Sequence, residues 1–185
     1  MRRLAACLVS LSVTMVLAAA GPAELPAQQP APPAANPADV ASPDAIIAAL
    51  YDVISGPAGE KRNWDRMRSL FVEGARLIPT GKRPDGSSFM LVWTVDEYIQ
   101  RAGAGLERDG FFEREIGRTT EQFGQVVHAF SAYDSKRLPT DPEPFARGIN
   151  SIQLRHDGTR WWVVTVFWDS ERPDNPIPAR YLRGR

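Results

Sequence analysis

Apolar residues along this chain recur first with helical spacing and later with extended spacing. Ser42-Pro43-Asp44 opens the helical part with a cap, a proline at the first helical position and an acid that favours the helix dipole. Ile46, Ile47, Leu50, Tyr51 and Ile54 then form one helical stripe, stopped by Gly56-Pro57. Asn63 caps a second helix in which Trp64, Met67, Leu70 and Phe71 share a face and Gly74 ends the run. Ala75 to Thr80 and Phe89 to Trp93 read as short strands around the turn-rich stretch Gly81 to Gly86. Thr94-Val95-Asp96-Glu97 is a capping box, with Trp93 placed to staple against Tyr98, and it predicts a short third helix ended by Gly103, Gly105 and Gly110.

The extended part comprises Phe111 to Thr120, Phe123 to Tyr133, and a hairpin from Phe145 to Asp169 centred on Asp157-Gly158. A two-residue turn there sets Leu154 opposite Trp161, Ile152 opposite Val163 and Asn150 opposite Thr165. Trp162, Val164, Val166 and Trp168 then point to the other face. Helices followed by an antiparallel meander define an α+β class, with three helices from the N-terminal half on one face of a curved sheet. Three helices cover only one side, so the four residues Trp162, Val164, Val166 and Trp168 are expected to form a homodimer interface. Pro173 to Pro178 is too proline-rich for a helix or inner strand and is expected to run extended over the surface.

Composition sets the ends apart from this domain. Met1-Arg2-Arg3, the apolar run Leu4 to Leu17 and Ala18-Ala19-Ala20 read as a signal peptide over residues 1–20, which predicts export to a secreted or periplasmic location with no membrane attachment after cleavage. Residues 21–41 are rich in Ala, Pro and Gln and read as a disordered linker, leaving 42–185 as the domain with its extended tail. Cys7 is the only cysteine, so the mature chain has no disulfide and depends on core packing. Charge is balanced, 22 basic residues against 22 acidic, and no basic stripe interleaves with the aromatics, which argues against a nucleic-acid partner.

Candidate chemistry is sparse. His128 shares a strand face with Val126 and Phe130, where a histidine serves as a general base or, more often, as a core residue satisfied by one hydrogen bond. Arg114, between Phe112 and Ile116, and Arg147, beside Ile149, need a carboxylate or an anionic ligand, and an internal ion pair is the simpler reading. Glu113 and Glu115 fall on one strand face, in the spacing of an acid and base pair or of a salt-bridged stripe. Asn150 is a polar residue among large apolar neighbours. Trp64, Tyr98, Arg114, Asn150 and Thr165 are the residues expected to line a pocket. Two scattered histidines and a single cysteine provide no metal set, and no cofactor motif is present.

The order of elements, with an Asp-Gly turn leading into a Trp-rich last strand, resembles the nuclear transport factor 2-like (SnoaL-like) superfamily over residues 43 to 170. The passages F-F-E-R-E-I, R-G-I-N-S-I-Q-L, R-W-W-V-V-T-V-F-W-D and N-P-I-P are similar to a secreted bacterial subgroup of unassigned reaction. The resemblance implies a cone, with the sheet wrapped around the helices, an apolar cavity at its open end and frequent dimerisation through the convex sheet face. That superfamily spans isomerases, cyclases, dehydratases and non-enzymatic binding domains, so fold does not select a chemistry. The expectation is an exported domain binding a small apolar molecule without a demonstrable reaction. The alternatives are a cofactor-independent proton-transfer enzyme of isomerase, cyclase or hydrolyase type using His128, and an accessory dimerisation module.

Overall fold

The computed structural model describes residues 33–182; the expected signal segment, most of the linker and the last three residues lie outside the described residues. A 3₁₀ turn at Pro37–Val40, capped by Asn36, already belongs to the fold. Val40 is buried in the core, and Asp39 accepts a 2.7 Å bond from Arg66 Nε. The fold therefore includes residues on the linker side of the boundary drawn at Ser42. Helix α1, Pro43–Ile54, begins where the sequence places it, with Ser42 Oγ accepting from the Ala45 amide at 3.1 Å. Helix α2, Trp64–Leu70, is capped by Asn63 but ends before Phe71, which is the first residue of strand β1, Phe71–Lys82. Parallel pairing of Phe71 with Val163 buries its ring and ends the helix earlier than the apolar periodicity suggests.

After the short strand β2, Ser88–Met90, the capping box at Thr94 and Glu97 starts helix α3, Val95–Asp109. This helix is longer than expected because it passes through both internal glycines. Gly103 sits against Trp64, where a Cβ would lie 3.0 Å from the indole ring, and the helix stops at Gly110, whose φ of +71° is costly for other residues. Strands β3 (Phe112–Phe123), β4 (Val126–Lys136), β5 (Ala146–His156) and β6 (Trp161–Ser170) complete a six-stranded sheet in the order β2-β1-β6-β5-β4-β3. One pair corrects the expectation of a wholly antiparallel sheet: β1 and β6 run parallel, with helix α3 and four strands between them in sequence. Bulges in β1, β3 and β6 bend the layer around the helices.

The β5–β6 hairpin differs from its sequence reading in a way that matters for the site. Its loop is four residues, Asp157 to Arg160, because the Asp157 carboxylate gathers the Thr159 amide at 2.8 Å and the Arg160 amide at 2.9 Å. His156 then pairs with Trp161, and Leu154 with Val163. A bulge leaves Val164 without a partner in β5, after which Thr165 faces Gln153, Val166 faces Ile152 and Trp168 faces Asn150. Strand side chains alternate, so one extra residue exchanges the faces of everything beyond it. Val166 and Trp168 turn inward while Thr165 and Phe167 turn outward. The predicted outer row of Trp162, Val164, Val166 and Trp168 is thereby broken.

The inner face of the sheet presents Val127, Ala129, Ile152, Leu154 and Val163 to Ile46, Ile47, Met67 and Leu70, all essentially sealed from solvent. At the far end of α1 the buried guanidinium of Arg62 donates to the carbonyls of Ile54, Gly56, Pro57, Glu60 and Leu106, so all five N–H groups are used. One side chain thus ties the end of α1 and the loop after it to helix α3.

The segment after β6 folds back across the outer face. Glu171 N donates to Arg147 O at 2.7 Å, Arg147 pairs with Glu171, and the Tyr181 ring packs edge-on against Phe130 at 4.9 Å. The chain itself therefore covers part of the surface that the sequence reading assigned to a second subunit.

Candidate functional site

Between α1, α3 and the inner sheet face lies a cavity of about 260 Å³. Leu50 and Ile54 of α1 form one wall, Tyr98 and Leu106 of α3 another, and Val166 and Trp168 of β6 a third. Tyr98 meets Trp168 edge-to-face at 6.4 Å and Trp93 at 6.5 Å, an aromatic corner supplied by the capping segment of α3 and the bulged strand. The side-chain polar groups on the wall come from Tyr51, Tyr98, Glu113, Tyr133, Asn150 and the Trp93 and Trp168 indoles.

Glu113 is the group the sequence reading undervalued. It faces inward because it pairs in register with Ser135, and Ser135 Oγ donates to Glu113 Oε2 at 2.8 Å. Asn150 Nδ2 is 3.4 Å from Glu113 Oε1 and donates to Tyr51 Oη at 3.1 Å. Tyr51 Oη is 2.7 Å from Ser131 Oγ, and Ser131 donates to Glu115 Oε1 at 2.6 Å. Glu115 in turn lies 3.4 Å from Arg118. A single polar chain thus runs from the cavity wall to the groove between α1 and the edge strand β3.

Burial pushes the Glu113 carboxyl up from 4.5 to about 7, with the charge of Asp134 adding to the effect and the bonds from Ser135 and Asn150 opposing it. Burial also lifts the Tyr133 phenol to about 12. The Tyr51 phenol is raised beyond the usual tyrosine range, first by burial and then by the neighbouring Glu113 charge. Tyr51 therefore stays neutral at every physiological pH, whereas Glu113 exchanges its proton close to neutrality.

The structure divides the residues proposed from sequence. Tyr98 and Asn150 line the cavity. Trp64 packs against the core, donating from Nε1 to Glu107 at 2.8 Å, but lies outside the cavity wall. Arg114 is largely exposed and bidentate on Asp134 at 2.9 Å, the internal ion pair weighed for it. Thr165 is on the outer face beyond the bulge, opposite Gln153. His128 is also on the outer face, 3.0 Å from Ser151 Oγ and against Phe130, because its neighbours Val127 and Ala129 take the inward positions. It does not reach the cavity, which removes it as the base for chemistry there. Trp162 donates to Asp157 at 2.6 Å and is covered by the Arg160 guanidinium at 3.6 Å. Among the described residues no three or more metal-ligating side chains cluster.

This helix-lined cavity within a bent six-stranded mixed sheet is an α+β architecture with counterparts among solved structures. A protein of unknown function with a cystatin-like fold from Nostoc punctiforme superposes with a TM-score of 0.51 and 13% identity, covering 72% of this chain and 90% of that one. A nuclear transport factor 2-like protein of unknown function from Silicibacter pomeroyi gives a TM-score of 0.46 and 12% identity over 71% of this chain and 94% of that one. Another from Methylobacillus flagellatus gives 0.45 and 14% over 71% and 95%. No protein-family model matches the sequence, and no curated protein matches it.

The raised Glu113 carboxyl has a consequence for stability. The folded form holds the proton more tightly than the unfolded form, so the contribution is complete below about pH 4.5 and is lost as pH rises toward 7. At about 1.4 kcal/mol per pK unit, stability measured by urea unfolding should fall by roughly 2 to 3 kcal/mol between pH 5 and pH 8. Glu113→Gln should flatten that slope, and an unchanged slope in the variant would refute the assignment.

Proposed function

We propose that this domain binds a small, mostly apolar molecule in the cavity between α1, α3 and the inner sheet face. The observation that carries the reading is a space of about 260 Å³ with an aromatic and aliphatic wall interrupted by a convergent polar group, Glu113 with Asn150. The volume lies between the roughly 150 Å³ of a cavity that takes benzene and the roughly 300 Å³ at which ordinary ligand sites begin. One or two fused rings suit it. The same proposal places the protein outside the cytoplasm, supported by the basic start and apolar run of residues 1–20. It includes pairing of two copies through the outer face, supported by the 40% exposure of Phe167.

Naphthalene tests the reading as a purely apolar two-ring probe. It should quench tryptophan fluorescence with one-to-one stoichiometry, and Ala102→Leu, which fills the wall on α3, should weaken binding at least tenfold. Failure to bind, or equal binding to the variant, would count against the cavity as a ligand site.

A second reading, proton transfer, is favoured by the carboxyl of Glu113, pushed up to about 7 and set beside the cavity. A general acid or base works best with a pKa near the operating pH and contributes about 10²- to 10⁴-fold. Such a group removes a proton next to the carbonyl of an enolisable ring ketone and returns it. With 2-tetralone in deuterated water, NMR should show solvent deuterium entering the carbon next to the carbonyl, and Glu113→Gln should slow this at least hundredfold. Exchange equal to that in buffer would leave binding alone as the function.

A further inference from the structure

The direction of the polar chain behind the cavity decides what the cavity offers to a ligand. Glu115, as a carboxylate beside Arg118, can only accept, so Ser131 must donate to it. Ser131 has one proton, already given to Glu115, so at the 2.7 Å contact Tyr51 is the donor and Ser131 the acceptor. Tyr51 has then spent its own proton and accepts from Asn150, which requires the nitrogen of the Asn150 amide, and not its oxygen, to face Tyr51. The second proton of that nitrogen points to Glu113 Oε1. Asn150 is only 7% exposed and lines the cavity, yet its Oδ1 accepts no hydrogen bond from the described residues. Among the described residues, Arg172 Nε is the one sealed side-chain nitrogen or oxygen without a hydrogen-bond partner, so Asn150 Oδ1 retains access to the cavity space.

From this we propose that the cavity is specific for a ring compound whose edge carries an N–H next to a carbonyl, as in a cyclic amide, with Asn150 Oδ1 accepting the N–H and the Glu113 carboxyl donating to the carbonyl. The proposal rests on the binding reading above and adds the ligand class to it. Asn150 is the recognising group. Tyr51, whose hydroxyl proton is spent on Ser131, and Ser131 and Glu115 behind it are positioning residues, acting through the orientation they impose on the amide. An acceptor held in a nearly dry wall discriminates strongly, because a ligand without the matching donor leaves it unpaired.

Three probes of similar size separate the proposal from the reading beneath it: 2-quinolone, N-methyl-2-quinolone and naphthalene, titrated at pH 6 against the full domain. 2-Quinolone should bind at least tenfold more tightly than its N-methyl form, and Asn150→Leu should abolish that preference while still binding naphthalene. Glu115→Gln, a change at the groove end of the chain, supplies a side chain that both donates and accepts. It should let the Asn150 amide turn over and reduce the preference at least threefold with the fold intact by circular dichroism. Naphthalene binding with no preference for the N–H form would overturn the proposal and leave the binding reading standing. A preference that survives Asn150→Leu, or is unmoved by Glu115→Gln, would overturn the assignment of the acceptor or of the chain behind it. Binding of none of the three would overturn both.

Discussion

A carboxyl removed from water constrains this site more than any other interaction. An ionised Glu113 at the wall of an apolar cavity loses solvation that two hydrogen bonds, from Ser135 and at longer range from Asn150, only partly replace. The neutral form is therefore favoured up to about pH 7. The surrounding polar groups follow from the same demand. Ser135 comes from the neighbouring strand in register, Asn150 from the next strand beyond, and Tyr51 from the helix laid across them. Apart from Asn150 Oδ1, which is left to the cavity, each side-chain polar group in that chain answers another, which is the condition for keeping such a network inside a core.

The cavity owes its aromatic wall to one unpaired residue. Without the bulge at Val164, Trp168 and Val166 would lie on the outer face, and the space opposite Tyr98 would be bordered by Thr165 and Phe167. The same bulge gives the sheet part of its bend, so curvature and cavity lining have a common origin. Arg62 acts at the opposite end, fastening α1 and α3 through backbone carbonyls and so fixing the two helices that bound the site.

Much of this was legible in the sequence, and the exceptions share a physical cause. Caps are local chemistry, so Ser42, Asn63 and the Thr94–Glu97 box place the helix starts correctly. Asn150 was identified because alternation along β5 sets it on the face of Ile152 and Leu154 whatever strand lies beside it. Thr165, Val166 and Trp168 were misplaced because their orientation depends on a bulge, and a strand with apolar residues on both sides carries no alternation to reveal one. The α2 helix was overextended for a related reason: Phe71 fits both the helical stripe and the strand, and only its pairing with β6 decides. Glu113 was seen to share a face with Glu115, but what separates their roles is long-range. Glu113 meets Ser135 and the cavity, while Glu115 meets Ser131 and Arg118. His128 illustrates the converse, a residue that is chemically suggestive in isolation and placed by strand alternation on the wrong side of the sheet.

Architecture alone does not select a chemistry, and what this cavity can do turns on the state of one side chain, Glu113. The most direct measurement is a carbon-13 NMR titration of the Glu113 side-chain carboxyl in the folded domain, assigned by comparison with Glu113→Gln. A midpoint near 7 is the result this account requires. A midpoint near 4.5, the value of a solvated glutamate, would mean that the carboxyl is hydrated and that the cavity does not enclose it.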